Sequence, residues 1–392
     1  MDSALLALSL LIGIVLSALF AEWFIHQRSL YRIPIRIHVN GTRGKSSVTR
    51  LVAAGLRAGG FSVLGKTTGS DPRIIDLQGK DRRIHRLTGA SIGELVRFMR
   101  YFAQFRPQAV VMECMAVQPQ YQWVAEQHMV KSTHSVITNA RLDHVDEMGY
   151  KLEDIAQSLS NTIPFNGKLF TAEQTMLSTM KDIANKRKTI VITATHKDVS
   201  LEEMDGFNHI EHAENVALSL NICIDLGIDR KIALDGMKTS TPDPGALRRW
   251  DLKYGDYSAQ FINAFAANDP TSTIMIWHMI QKNIMIDSSK IGVFLNTRPD
   301  RESRTRQMLD IIKNDIKPRF LFVRGEHLER FKKEYFEPFQ NRYKTWSKEV
   351  PGSVVIDDML TIENEILIYG IGNIVGSGFA LLDELKMYRI VG

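Results

Sequence analysis

The chain has 392 residues, 44% hydrophobic and 24% charged, a globular composition long enough for two domains with cores of their own. Its two cysteines, Cys114 and Cys223, cannot build a disulfide framework, and no Cys/His cluster has the spacing of a structural zinc site, so a reducing compartment is expected. The formal charge is +5, but Arg28, Arg32, Arg36, Arg43, Lys45, Arg50, Arg57 and Lys66 fall in a stretch with no Asp or Glu, and without those eight the balance is −3, which argues against a nucleic-acid binder.

The first predicted element is a membrane helix. Residues 4–21 carry no charge, and Trp23, Phe24 and Ile25 continue the apolar run after Glu22. A helix of ~20 apolar residues spans a bilayer core. Arg28, Arg32 and Arg36 follow it, so the positive-inside rule places the rest of the chain in the cytoplasm. A cleaved signal peptide is the alternative. It would carry basic residues before the apolar run, where this chain has Asp2.

A strand is predicted over 35–39 and a helix over 46–58, and between them the chain reads V-N-G-T-R-G-K-S-S. Glycines let backbone N–H groups curl around a phosphate, Lys45 can reach the β- and γ-phosphates, and the Ser46 hydroxyl can coordinate Mg2+. ATP and Mg2+ are therefore the expected cofactors. Only Thr42 and Arg43 separate Gly41 from Gly44-Lys45, where the common phosphate loop has four residues.

Further strands are predicted at 109–112, 135–139, 168–170 and 189–193, with helices at 91–105 and 173–186 between them. This alternation predicts a mostly parallel sheet with helices on both faces and ligands at the carboxyl ends of the strands. Glu113 ends one strand and can bind Mg2+, or it is a carboxylate that has simply reached solvent. Asn139, Asp143, His144 and Asp146 follow another, as cation ligands or as a polar helix cap. Residues 67–72 form a small-residue loop that can offer hydroxyls to phosphates, or only a turn.

Residues 239–246 carry two prolines and a glycine and break the periodicity. The expected domains are therefore a membrane anchor over 1–27, a P-loop ATP-binding domain over 28–243 and a C-terminal α/β domain over 244–392. In the last, strands are predicted at 259–263, 290–295, 320–323 and 366–369, with helices at 270–282, 304–316 and 376–388. Arg248 and Arg249 lie just past the break and can meet a γ-phosphate or a carboxylate, or are solvated linker charges. Arg298, Arg301, Arg304 and Arg306 follow a strand, with Arg301 and Arg304 sharing a helical face. They suit a carboxylate substrate, or form a solvated charged face.

In this order the motifs resemble those of the Mur ligase superfamily of ATP-dependent amide ligases. Gly41-Thr-Arg-Gly-Lys-Ser46 is similar to its G-T-N-G-K-[ST], and Glu113 to its strand-end Glu. Asn139 with Asp143-His-Val-Asp146 is similar to N-x-x-x-D-H-x-D, Pro244-Gly-Ala-Leu-Arg248 to the interdomain P-G-R, and Asn263-Ala-Phe-Ala-Ala-Asn268 to D-x-Y-A-H-N. Within the superfamily the chain most resembles membrane-bound poly-γ-glutamate synthase subunits. That likeness takes in the apolar anchor, N-G-T-R-G-K-S, G-K-T-T-G-S-D, M-E-C-M-A-V, N-T-I-P-F-N-G, P-D-P-G-A, F-A-A-N-D and Tyr369-Gly-Ile-Gly-Asn373.

The resemblance implies an α/β fold: an N-terminal transmembrane helix, a Mur-ligase-like P-loop central domain with a parallel sheet, and a smaller Rossmann-like C-terminal α/β domain. It implies nucleotide contacts from Asn40, Gly41, Thr42, Arg43, Gly44, Lys45, Ser46, Ser47 and Asn263, and Mg2+ on Ser46, Glu113 and His144. Lys45, Glu113, His144 and Arg248 are the implied catalytic residues, and Arg298, Arg301 and Arg304 the substrate-binding ones. The implied reaction phosphorylates a carboxylate and passes the acyl phosphate to the amine of a glutamate. The implied partners are glutamate and poly-γ-glutamate, the membrane, and membrane-embedded C-type and A-type synthase subunits; a homo-oligomer is left open. The family's ribose-contacting Asp is Asn263 here, the His of A-H-N is Ala267, and no position matches the family's modified lysine. The competing readings are a folylpolyglutamate-synthase-like ligase, a membrane-tethered P-loop ATPase energising transport, and a non-enzymatic basic scaffold.

Overall fold

In the structure, a computed structural model that describes residues 3–68, 72–86, 91–207, 211–242, 248–265, 269–283, 287–374 and 377–390, the N-terminal apolar run is one helix, Ser3–Tyr31. Its 29 residues rise ~43 Å, more than a hydrocarbon core of ~30 Å. Among the described residues it is the one helix long and apolar enough to cross a membrane. Its apolar side chains are exposed as far as Ile25, whereas His26, Ser29 and Leu30 near its end are buried against protein.

The chain divides into two compact units, Met1–Asp243 and Pro244–Gly392. The first holds strands β1 (Ile35–Asn40), β2 (Val63–Lys66), β3 (Arg73–Ile75), β4 (Asp81–Arg83), β5 (Ala109–Glu113), β6 (His134–Ile137), β7 (Lys168–Thr171) and β8 (Ile190–Thr193). They form one sheet in the order β4-β3-β2-β5-β1-β6-β7-β8. Every neighbouring pair is parallel except β2/β3 and β3/β4.

Side chains alternate across a strand, and here both faces are apolar because helices cover both. In β5, Ala109 and Val111 join a core built with helices Lys45–Ala58, Ala213–Asp225 and Arg230–Lys238. Val110 and Met112, pointing the other way, join a core with helix Glu94–Gln104 and with Leu30 from the end of the N-terminal helix. A third core lies beyond β6 and β7, around Ile137, Leu169 and Ile155. Burial of one such Leu or Ile is worth ~1.5–3 kcal/mol, so β1 and β5, covered on both sides, hold the carboxyl end of the sheet steady.

The second unit holds β9 (Arg248–Tyr254), β10 (Tyr257–Asn263), β11 (Ile291–Asn296), β12 (Phe320–Arg324), β13 (Tyr343–Trp346) and β14 (Ile366–Gly372). Their order is β13-β12-β11-β14-β10-β9, parallel except for β9 against β10.

Several element boundaries differ from the sequence reading. The strand expected over 135–139 ends at Ile137. The helix expected over 173–186 starts at Leu177, because Glu173 is a turn brace: its carboxylate accepts N–H bonds from Ala140, Thr175 and Met176. The helix expected over 304–316 starts at Glu302, and its last turn, Ile312–Ile316, widens into a π-helix. Strands β2 to β4, β9 and β13 and helices Ala213–Asp225, Arg230–Lys238 and Gly352–Leu360 were not anticipated.

Candidate active site

Parallel pairing fixes the site. Val39 lies beside Glu113, and Asn40 beside Ile137, so the loop leaving β1 emerges between the ends of β5 and β6. The loop then turns sharply at two glycines with positive φ, Gly41 at 128° and Gly44 at 85°. A Cβ on Gly41 would sit 2.0 Å from the Thr138 hydroxyl oxygen, so only glycine lets the loop lie this close to β6. Gly44 caps helix Lys45–Ala58 with no side-chain hydrogen bond, leaving backbone N–H groups at that terminus for an anion.

Side chains beneath the loop hold it in shape. The Gly41 N–H donates to Asn40 Oδ1 at 2.8 Å, and Asn40 Nδ2 donates to Gln122 Oε1 at 2.8 Å. Asn139 Oδ1 accepts the Arg43 N–H at 3.1 Å and Asn139 Nδ2 donates to the Arg43 carbonyl at 3.1 Å, while the Asn139 carbonyl takes the Thr42 N–H. Both amides are thus turned to the loop backbone. Below β1, the buried His38 Nδ1 meets Glu126 Oε2 at 2.8 Å, and Glu126 Oε1 accepts from the Ser132 N–H and hydroxyl. Burial pulls the His38 imidazolium down, but Cys114 and Glu126 outweigh it and leave this ring easier to protonate than a free histidine.

Within this frame the Ser46 hydroxyl donates to Glu113 Oε2 at 2.9 Å, and the Thr68 N–H donates to the same oxygen at 2.8 Å. Glu113 is only 2% exposed, so it is a held carboxylate and not one that has drifted to solvent. Lys45 Nζ donates to the Gly41 and Thr42 carbonyls of its own loop. Burial holds that ammonium below the usual lysine range, against the pull of Glu113. Arg43 reaches out of the loop to Asp143 at 3.2 Å. Ser47 lies half-buried on the first turn of the helix.

His144 is not brought to this group. It adopts a left-handed backbone, φ 48°, to cap helix Val145–Met148, and its half-exposed ring lies 3.9 Å from Glu147. Asp146 accepts from the Tyr150 hydroxyl. Among the described residues no three His, Cys, Asp or Glu side chains gather as a metal cluster.

Lys66 is a residue to which the sequence reading gave no role of its own. It is fully buried at the end of β2; among the described residues its Nζ makes no hydrogen bond, and it faces Glu94 at 3.8 Å. Glu94 is already held by Arg86 through both oxygens, at 2.7 and 2.9 Å. Burial pushes the Lys66 ammonium down to about 8, against the attraction of Glu94 and Glu113. In the sequence it stood out only as one cation of the basic stretch and as the lysine of G-K-T-T-G-S-D.

In the second unit Arg298, Arg301 and Arg304 line one narrow cleft with Asn296, Thr297 and Asn373, at the carboxyl ends of β11 and β14. Arg298 forks onto its neighbour Asp300. Arg306, grouped with them on sequence, points elsewhere and pairs with Glu334 at 3.2 Å. Asn296 Oδ1 is a buried acceptor with no partner among the described residues, and Asn263, at the end of β10, has a buried Nδ2 in the same position. The side chain of Arg248, and residues 69–71, 243–247 and 266–268 of the quoted motifs, lie outside the described residues.

Residues 39–231 match the Mur ligase middle domain, and residues 251–388 match the poly-gamma-glutamate synthase CapB C-terminal domain. The capsule biosynthesis protein CapB of Bacillus anthracis is 35% identical over 372 residues, covering 93% of this chain and 79% of the relative. The PGA synthase CapB of Bacillus subtilis (strain 168) is 34% identical over 369 residues, 93% of each chain. This chain belongs to the CapB family. Among solved structures, the Mycobacterium tuberculosis folylpolyglutamate synthase complexed with ADP superposes with a TM-score of 0.67 at 16% identity, covering 96% of this chain and 97% of that one. Likeness at that identity shows the fold alone: the CapB family shares the Mur-ligase and folylpolyglutamate-synthase architecture.

Proposed function

We propose that the protein is an ATP-dependent amide ligase that extends poly-γ-glutamate, held in a bacterial cell membrane by helix Ser3–Tyr31 with both units on the cytoplasmic side. The observation that carries this reading is the contact of Ser46 with the buried Glu113 beside the glycine loop, in a chain of the CapB family.

ATP is read here as a substrate whose phosphates lie over residues 40–47 and the helix N-terminus behind them. Ser46 and Glu113 are the hard oxygen donors that Mg2+ takes, and two protein oxygens suit an ion that keeps much of its shell for water and phosphate. When bound there, Mg2+ neutralises charge on the transferring phosphoryl group. We give His144 the third protein position, since the exposed contact with Glu147 that now holds its ring is weak.

A substrate carboxylate oxygen attacks the γ-phosphorus, and the bond to ADP breaks with its electron pair leaving on ADP. The amine of a second glutamyl group then attacks the acyl carbon; phosphate leaves, and the nitrogen loses a proton to give the amide. Activation is required because a free carboxylate is a very poor acceptor of an amine. Lys45 and Arg248 are assigned to the charge that builds on the transferring group. Asn263 is assigned to the nucleotide on the strength of its unpartnered donor. The arginine cleft suits a glutamate: guanidinium groups for carboxylates and the Asn296 side-chain oxygen Oδ1 for the ammonium. One helix makes no export path, so membrane-embedded C-type and A-type subunits are the expected partners.

The test is ADP release in membranes with L-Glu, D-Glu, folate and a UDP-peptide, against Lys45→Ala. Glutamate-dependent release lost in the variant supports the reading. Folate-dependent release favours a folylpolyglutamate-type ligase, and release without amide formation favours a transport ATPase.

A further inference from the structure

The N-terminal helix does not end at the membrane surface. It runs on unbroken, and its last turns pack on helix Glu94–Gln104 and on the π-helical segment Ala125–Val130. Arg100 donates to the Glu22 carbonyl at 2.8 Å and reaches its carboxylate at 3.3 Å. The His26 ring meets the Met129 carbonyl at 2.9 Å, and Lys131 donates to Gln27 at 2.9 Å. Leu30 and Ile33 share a core with Leu95, Met99 and Phe102.

These contacts set a height. Glu22 is the first charge after the apolar run, so it marks the edge of the hydrocarbon, and Arg100 lies at that edge. Tyr101 and Gln104 are one and four residues further along the same helix, within ~6 Å of Arg100 along its axis. The headgroup zone of one leaflet is ~5–8 Å thick. Tyr101, Gln104 and Phe105 therefore lie close to the level of the headgroups of that leaflet.

Their chemistry fits that level. Helix Glu94–Gln104 buries Leu95, Met99, Phe102 and Ala103 and leaves Arg97, Tyr101 and Gln104 exposed, with Phe105 and Arg106 exposed just beyond it. Tyr101 is 41% exposed and Phe105 48%, and their rings meet edge to face at 5.2 Å. From residue 95 to 108 there are three arginines and no acid, and the exposed Arg28 and Arg32 add two more. Exposed aromatics among cations are the signature of an interface with anionic lipid.

We propose that the exposed face of helix Glu94–Gln104, carried on to Phe105 and Arg106, lies on the anionic headgroups of the bilayer that the N-terminal helix crosses, so that the nucleotide-binding unit is laid against the membrane and does not swing below it. The occupant is phosphate-bearing lipid: the arginines bind its phosphates, and the Tyr101 and Phe105 rings sit among its glycerol groups. This rests on the membrane reading of the N-terminal helix given above.

The experiment uses the full chain in lipid nanodiscs, without other proteins, carrying an environment-sensitive dye on one introduced cysteine at a time; the native Cys114 and Cys223 are buried. The positions are Tyr101→Cys, Phe105→Cys, Leu16→Cys in the apolar run, and the remote, exposed Leu201→Cys. Lipids brominated near the headgroup are the quencher for 101, 105 and 201, and lipids brominated in the middle of the acyl chain are the quencher for 16. The expected result is strong quenching at 101 and 105 and none at 201 in discs containing phosphatidylglycerol, falling in pure phosphatidylcholine. Arg97→Glu with Arg106→Glu should weaken it about fivefold or more for each charge removed. Quenching at 16 but not at 101 or 105 overturns the proposal and leaves the face to a protein partner. Equal quenching in both lipids overturns the anionic assignment. No quenching at 16 overturns the membrane reading itself, and the proposal with it.

Discussion

Replacing Lys66 by Met should make the protein more stable at neutral pH. Lys66 is fully buried, its ammonium makes no hydrogen bond among the described residues, and burial holds it at about 8 against an ordinary lysine value of 10.5. For a base whose folded pKa is depressed, the unfolded chain binds more protons between the two values, so stability rises with pH across that window. Below about 8 both states are protonated and the full penalty is present, on the order of 3 kcal/mol at ~1.4 kcal/mol per pKa unit. Met fills similar volume against Phe98, and Glu94 is not orphaned because Arg86 grips both its oxygens. Urea unfolding of the full chain in detergent, at pH 7 and pH 9.5, reads this directly. Wild type should gain about 2 kcal/mol between those values relative to Lys66→Met, and the variant should be the more stable at pH 7. A variant less stable than wild type at pH 7, or a wild type with no rise on this limb, would refute the argument.

Gly41→Ala should abolish nucleotide binding, measured by calorimetry with ADP, because its Cβ meets Thr138 in a left-handed backbone; unchanged affinity would mean that the loop lies elsewhere. Glu173→Gln should cost ~2–4 kcal/mol by chemical unfolding, since it weakens a buried acceptor of three backbone N–H groups. Arg301→Ala should raise the KM for glutamate by about tenfold or more with little change in the ADP affinity, which steady-state kinetics and calorimetry separate.

The sheet of the first unit was legible because its central strands are short runs that end in polar residues, wholly apolar before Glu113 at Ala109–Glu113 and alternating Ile35, Ile37 and Val39 with polar residues at Ile35–Asn40. What the sequence hid was set by tertiary contact. Glu173 reads as a helix former, yet three backbone donors hold it in a turn. Asn139 reads as a ligand, yet its amide is turned to Arg43. Lys66 reads as one more cation in a basic stretch, and only packing reveals that it is buried with no hydrogen bond among the described residues. Conversely Arg306 sits in an arginine run but turns to Glu334, because a helix sends neighbours two apart to different faces. His144 followed the expected spacing, but the left-handed turn at that residue leaves its ring beside Glu147.

The central claim is that ATP is consumed to phosphorylate a carboxylate. It is tested most directly by labelling the carboxyl oxygens of the glutamyl acceptor with oxygen-18 and analysing the released phosphate by mass spectrometry. The account predicts one labelled oxygen in each inorganic phosphate for every amide formed, in wild type and not in Lys45→Ala. Phosphate that carries no label while polymer and ADP accumulate would contradict it.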